Sequence, residues 1–246
     1  LVAEDLPEVE APQEAALTNE PRYEGEPILA VAAVSEQIAS DAIELINIQF
    51  EPLPFVLDPL DSLQPGGPNG RLDGNTRLGR EMGEIKWTEA DVAGVAPGEI
   101  PMDAEAAAEW EYGDLAAGFA EADFIYEDTY SAPPVQHAAL DRHAVISHVE
   151  DDAITVWTNC QSPFPLQREI QRIFGKPARV IVPYVGGGFG SKSRDRIEVV
   201  ITAAAKLARR PVRYVMTQEE TFQTFIRPAY SAWIKTGVKR DGTIVP

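Results

Sequence analysis

Cysteine and histidine, the usual ligands of zinc and other transition metals, are nearly missing from this chain. It has one cysteine, Cys160, and three histidines, His137, His143 and His148, in 246 residues. A single cysteine excludes an internal disulfide and any cysteine-cluster site, and the histidines match no recognised zinc spacing. No metal ligand is assigned, so a metal working here takes most of its ligands from elsewhere. Long apolar runs are missing too. None approaches the roughly 18 to 20 residues of a membrane span, and no basic, apolar, small-residue leader opens the chain. The expectation is a soluble, cytoplasmic protein. Positive charge is also scarce, with 21 Lys and Arg against 39 Asp and Glu and a net charge of −18. That balance argues against nucleic acid as a partner, because phosphate binding draws on clustered cations.

The charge is unevenly spread. From Glu81 to Asp128 there are fourteen acids against Lys86 alone, whereas from Leu166 to Arg240 there are fifteen Lys and Arg against five acids. The acidic stretch reads as solvated surface or a subunit-contact face. The basic stretch contains the chain's main motif and supplies a field suited to an anionic cofactor. With 44% hydrophobic residues, the chain can bury one large core or two modest ones.

Local pattern divides the chain. Leu1 to Tyr23 is acidic and aperiodic and reads as a loose lead-in. Pro27 to Val34 is a buried-type strand, Ser35 a helix N-cap, Glu36 to Ile46 a helix, and Asn47 to Phe50 a returning strand, together a β-α-β unit. Glu51 to Thr76, with Pro-Gly-Gly-Pro at 65–68, reads as an extended linker. Asp114 caps a short helix ending near Ala122, and Phe124 to Tyr130 alternates as a strand. Two strands, 144–149 and 153–158, meet at the Glu150-Asp151-Asp152 turn. A helix over 166–174 stops at Gly175. Strands follow at 178–183, 211–216 and 230–238, with a short helix from Thr217 and a hairpin turn at Asp241-Gly242.

The motif is Val185-Gly186-Gly187-Gly188-Phe189-Gly190-Ser191-Lys192, set between the strand at 178–183 and a helix predicted from Ser193 to Leu207. Glycines admit positive φ and close approach, so such a loop can aim N–H groups and a helix N-terminus at an anion, or can simply pack strand against helix. The dinucleotide pattern fails, since the sixth position is Ser191 or Ser193 rather than glycine. The phosphate-loop pattern fails as well, because Ser191 precedes Lys192. By itself Lys192 suits either a phosphate contact or a solvated helix start. His137 reads as a packed, hydrogen-bonded histidine and Cys160 as a small buried thiol.

Taken in order, Gln136-His137, Cys160-Gln161-Ser162-Pro163 and Val185 to Lys192 resemble the large subunit of the molybdenum hydroxylases, the xanthine dehydrogenase and aldehyde oxidase family that includes bacterial carbon monoxide dehydrogenase. Arg22 to Val31 and Ile48 to Pro54 look like that family's α/β hammerhead domain. Gly113-Asp114 with Phe119 to Asp123 looks like the entry to its molybdopterin-binding domain. The fold class implied is α+β: the C-terminal part of a hammerhead domain over 1–62, an acidic linker or insertion over 63–109, and the N-terminal part of a mixed α/β molybdopterin-binding domain over 110–246.

The resemblance implies an oxidoreductase that hydroxylates a C–H bond of an aldehyde or aromatic heterocycle with oxygen from water. It implies a molybdenum–molybdopterin cofactor in its cytosine dinucleotide form, with iron–sulfur and FAD groups on partner subunits or domains that take the electrons. The position matching Gln161 donates its amide toward the apical oxygen ligand of molybdenum, and Gly187, Gly188, Phe189 and Gly190 bring backbone against the same centre. Ser193 falls where purine-hydroxylating members carry a substrate-contacting glutamate, and a hydroxyl does not replace a carboxylate near neutral pH. The family's later Arg-Gly-Phe motif and glutamate base fall C-terminal to Pro246. No catalytic side chain is therefore assigned, and these residues alone, read as a fragment, are expected not to turn over without the remainder of the subunit. A non-catalytic scaffold module of the same fold, or a phosphate-ligand enzyme using the glycine loop, are the alternatives.

Overall fold

The structure, a computed structural model, describes residues 1–6, 16–70, 74–78, 81–102, 104–106, 108–193, 196–224 and 226–245. In chain order the helices are α1 (Glu36–Glu44), α2 (Leu115–Glu121), α3 (Pro163–Phe174), α4 (Arg196–Ala208) and α5 (Gln218–Thr224). The strands are β1 (Thr76–Leu78), β2 (Glu81–Gly83), β3 (Phe124–Ala132), β4 (Val135–Gln136), β5 (Ala144–Val149), β6 (Ile154–Thr158), β7 (Ala178–Ile181), β8 (Val212–Val215), β9 (Ile226–Arg227), β10 (Tyr230–Val238) and β11 (Ile244–Val245). The result is mixed α/β, and it divides into two compact units, Leu1–Pro52 with Val135–Arg227, and Leu53–Pro134 with Pro228–Pro246.

The first unit is built on a four-stranded sheet in the order β7-β6-β5-β8. β5 and β6 form an antiparallel hairpin whose turn is closed by Glu150 N donating to Ala153 O at 2.9 Å. β6 and β7 run parallel, so the chain must cross over between them, and α3 makes the crossing. Pro163 starts α3 at a position whose missing N–H costs nothing, and Gly175 ends it at φ 64°, a left-handed residue where Cβ would be strained. β8 then joins the far side of β5, antiparallel. Strict alternation sends Val145, Ser147, Ile154, Val156 and Thr158 to one face of the sheet. There they meet Leu166 and Ile170 of α3 and Ile197, Val200 and Ile201 of α4. Two polar bridges tie α4 down: Thr158 Oγ1 donates to Glu198 Oε1 at 2.6 Å and Ser147 Oγ donates to Thr202 Oγ1 at 3.0 Å. The opposite face carries a cleft of about 340 Å³ lined by Ile146, Trp157, Asn159, Tyr184 and Arg213 among others.

In the second unit β3 and β10 pair antiparallel over nine residues each, with β11 on the outer side of β10. Asp114 caps α2 by accepting from Ala117 N at 2.9 Å. The Pro-Gly-rich segment is not an extended linker. Asn75 Nδ2 donates to Ser62 O and Ile85 O, and Lys86 Nζ donates to Ser62 O and Gly67 O at 2.6 and 2.8 Å, which folds the segment back on a β1–β2 hairpin. The one cation of the acidic stretch thus serves loop carbonyls.

Several expectations need correcting. Within the β-α-β reading, α1 forms and Ser35 caps it, accepting from Ile38 N at 3.3 Å. The flanking segments 27–34 and 47–50 are not strands, and only an isolated bridge, Val2 to Leu29, pairs there. A strand needs a continuous partner edge, and here the partners are scattered: Thr18 N donates to Pro27 O at 3.0 Å and Ala30 N to Leu1 O at 2.9 Å, too few to make a ladder. Of the lead-in, 7–15 lies outside the described residues, but Ala16 and Leu17 are buried in the core rather than loose. Two apolar residues are too few to show a period. Leu207, the apolar residue that ends the predicted helix, is 64% exposed. No helix among the described residues is long and apolar enough to cross a membrane.

Candidate functional site

Three segments of the first unit converge: 137–143 before β5, 159–162 after β6, and 185–193 between β7 and α4. Each lies at the same end of the sheet as a loop, and hydrogen bonds connect them. Gln161 N donates to Lys192 O at 2.7 Å. In return Gln161 Oε1 accepts from Gly190 N at 3.0 Å and from Lys192 N at 3.3 Å. Two backbone N–H groups require an acceptor, so the carboxamide is oriented with Oε1 inward and Nε2 as the outward donor. Ser193 Oγ lies 3.5 Å from the same Oε1, at the limit of a useful bond.

The glycines are required by space as well as by conformation. A Cβ on Gly188 would sit 2.5 Å from Gln161 Cδ and 2.9 Å from Cγ, and closer still to Oε1. Gly186, at φ 67°, has the Asp141 carboxylate lying directly over its α-carbon. Gly190, at φ 103°, faces His137 Nε2, 3.4 Å from where a Cβ would stand. Phe189 holds φ 53° without being glycine, and its side chain is 73% exposed. A bulky residue held in the left-handed region is strained, and such strain collects at ligand-facing loops. Within the loop, Ser191 N and Oγ both donate to Gly188 O, at 2.9 and 2.8 Å.

Beneath the loop the polar groups are buried. His143 Nε2 lies 3.1 Å from Ser191 O, which can only accept, so Nε2 carries the hydrogen. Burial, with Lys192 and His137 nearby, pushes the His143 pKa down to about 4, against the Ser191 bond that raises it. The ring is neutral across the ordinary range. Lys192 is only 1% exposed and donates from Nζ to Val185 O at 2.7 Å. Burial lowers its pKa while the Asp141 carboxylate favours the charged form.

Gln161, Gly187, Gly188, Phe189, Gly190 and Ser193 are therefore brought together in one loop cluster. Lys192 neither meets solvent nor is set to reach a phosphate; its stem is buried and its ammonium is turned back to the start of the loop. The helix does not begin at the loop either: a 3-10 turn, Ser191–Ser193, follows the glycines, and α4 opens at Arg196 beyond 194–195, which lie outside the described residues. The loop amides of Gly190 and Lys192 are committed to Gln161, not to a helix-terminus anion site. Cys160 is 3% exposed in the core. Asp141 and His143 were missed in the sequence because no spacing marks residues that act by supporting a loop fifty positions away. Among the described residues no group of three or more His, Cys, Asp or Glu is placed to hold a metal ion.

Residues 99–246 match the family described as the molybdopterin cofactor-binding domain. The chain belongs to the molybdenum hydroxylase large-subunit family. Among its relatives, the Escherichia coli K12 protein named "Probable hypoxanthine oxidase XdhD" is 30% identical over 242 residues, covering 91% of this chain and 25% of its own length. The carbon monoxide dehydrogenase large chain of Afipia carboxidovorans is 27% identical over 234 residues, covering 91% and 27%. In structure, the reconstituted carbon monoxide dehydrogenase from Oligotropha carboxidovorans superposes with a TM-score of 0.72 at 22% identity, over 99% of this chain and 31% of that one, a likeness of fold. The chain spans about a quarter of the length of the curated relatives it matches.

Proposed function

We propose that this chain forms part of the large subunit of a molybdenum–pterin oxidoreductase that hydroxylates a C–H bond of an aldehyde or aromatic heterocycle, with oxygen taken from water. The observation that carries the reading is the Gln161 carboxamide. Its Oε1 is fixed by two backbone donors, so Nε2 is presented beside a cradle of glycines that a single Cβ at Gly188 would fill. This fits a bulky group that brings its own metal ligands and asks the protein for close backbone and one oriented donor. Gln161, Gly187, Gly188, Phe189 and Gly190 would hold it, in the cytosine dinucleotide form. When bound, the molybdenum–pterin group supplies the two-electron redox chemistry.

The chain's own residues then orient and exclude. The donor of Gln161 is held in place before any ligand arrives, which avoids reorganisation at the moment of reaction. The Phe189 ring lies over Gly187, 3.3 Å from where a Cβ would stand, so that glycine has little room for a side chain. Ser193 stands on the substrate side with a neutral hydroxyl, which disfavours a purine held by a carboxylate and suits an aldehyde or a neutral heterocycle. Iron–sulfur and flavin partners take the electrons, and the remainder of the subunit, with a glutamate base, completes the site in the cytoplasm. Residues 1–62 serve as part of a hammerhead domain, 63–109 as an acidic insertion, and 110–246 as the opening of the cofactor domain.

Metal and pterin analysis of the intact complex tests the assignment: stoichiometric molybdenum with a releasable pterin is expected, and their absence sinks it. In the full-length subunit, Gln161→Ala should slow hydroxylation while most of the cofactor stays bound; unchanged turnover removes Gln161 from the centre.

A further inference from the structure

Four of the five residues from Gly186 to Gly190 are glycine, so the loop has almost no side chains with which to anchor itself. Glycine also loses more conformational freedom on ordering than any other residue. The loop's order must therefore come from ties at its ends. At the far end, Gln161 is bonded both ways to Lys192 and accepts from Gly190. At the near end, Gly186 O accepts from Asp141 N at 3.3 Å and Val185 O accepts from Lys192 Nζ at 2.7 Å. Among the described residues, Lys192 is the one that bonds to both ends.

An ammonium buried to 1% exposure is costly unless it is paired, and a methionine would fill the same space without that cost. The lysine is explained by what its charge does. It accepts burial in return for a strong, charge-assisted bond to a carbonyl seven residues back, in the favourable field of Asp141.

We infer that Lys192 is a positioning residue for the Gln161 carboxamide: its ammonium closes the glycine loop onto Val185 and so fixes the Gly190 and Lys192 amides that hold Gln161 Oε1. What the carboxamide serves rests on the proposed function; the closure of the loop does not. Ser191, between the two ties, is supported separately by His143.

The test is Lys192→Met in the full-length subunit within its complex, with site-resolved hydrogen exchange as the first readout. The Gly190 and Lys192 amides should exchange about tenfold faster, as for loss of one hydrogen bond's net contribution, while β5 and β6 keep their protection. Hydroxylation should show kcat lowered about tenfold with KM within about twofold and molybdenum content retained, because an interaction used after binding has been loosened. Unchanged exchange in the loop overturns the inference. So does loss of protection spread equally through β5 and β6, which would make Lys192 a general core residue. If the methionine variant does not fold, Lys192→Gln, with a donor on a shorter stem, is read by the same criteria. If the complex holds no molybdenum, the functional reading falls while the exchange comparison still decides the role of Lys192.

Discussion

Replacing Gly188 by alanine isolates one contact in the loop. Unlike Gly186, Gly187 and Gly190, Gly188 does not hold a positive φ, so the added methyl brings no backbone strain. What it brings is a collision, 2.5 Å from Gln161 Cδ and 2.9 Å from Cγ. Both neighbours belong to a side chain that is tied to backbone at its far end, so it cannot swing aside without releasing Oε1 from Gly190 and Lys192. Two hydrogen bonds at about 1 kcal/mol each put the cost near 2 kcal/mol. The assay is a double-mutant cycle on thermal or denaturant unfolding, using Gly188→Ala, Gln161→Ala and both together. In the Gln161→Ala background the obstacle is gone, so the second substitution should cost little. A coupling of about 1 to 2 kcal/mol is expected for residues in direct contact. Equal cost for Gly188→Ala in both backgrounds refutes the reasoning, since the glycine would then be required for some reason other than Gln161.

Other outcomes follow from buried groups. Burial raises the Glu198 pKa above its ordinary 4.5, against the Thr158 bond that lowers it. Its stabilising contribution is therefore complete below 4.5 and is lost as pH rises through the raised value, so a thermal midpoint measured across the pH range should fall toward alkali in the wild type and flatten in Glu198→Gln. His143 has the opposite sign. With its pKa lowered from 6.5 to about 4, its contribution is present above 6.5 and lost as pH falls toward 4, on the order of 3 kcal/mol at full protonation. His143→Gln should remove that acid dependence in the same titration. Ile170→Ala, at a fully buried position of α3, should cost about 2 to 5 kcal/mol in denaturant unfolding. Gly186→Ala should destabilise through both its left-handed φ and the Asp141 side chain, and Asp141→Ala should recover only part of the steric cost, because the Asp141 Cβ that remains stands 2.5 Å from the added methyl.

Local pattern was a good guide wherever local physics decides. Ser35, Asp114 and Gly175 mark helix ends because capping is a matter of a few adjacent atoms. β10 runs over the expected 230–238, and the hairpin of β5 and β6 closes at its acidic turn. Expectations failed where an element depends on a partner. Apolar character at 27–34 does not create a pairing edge, and Pro-Gly content at 65–68 could not show that Asn75 and Lys86 would gather the segment into a folded loop.

The site divides along the same line. From the sequence alone came the glycine loop, the exclusion of two nucleotide-binding patterns, the family resemblance, and the names Gln161 and Ser193. The loop and the two exclusions follow from residue type and spacing; Gln161 and Ser193 were named through the resemblance. The tertiary structure decided which atoms hold the loop: that the Gln161 oxygen, not its nitrogen, faces the backbone, that Asp141 occupies the space over Gly186, and that Lys192 turns inward to Val185. Those contacts join segments up to about fifty residues apart, and a buried ammonium and an exposed one are the same letter until packing determines whether water can reach it.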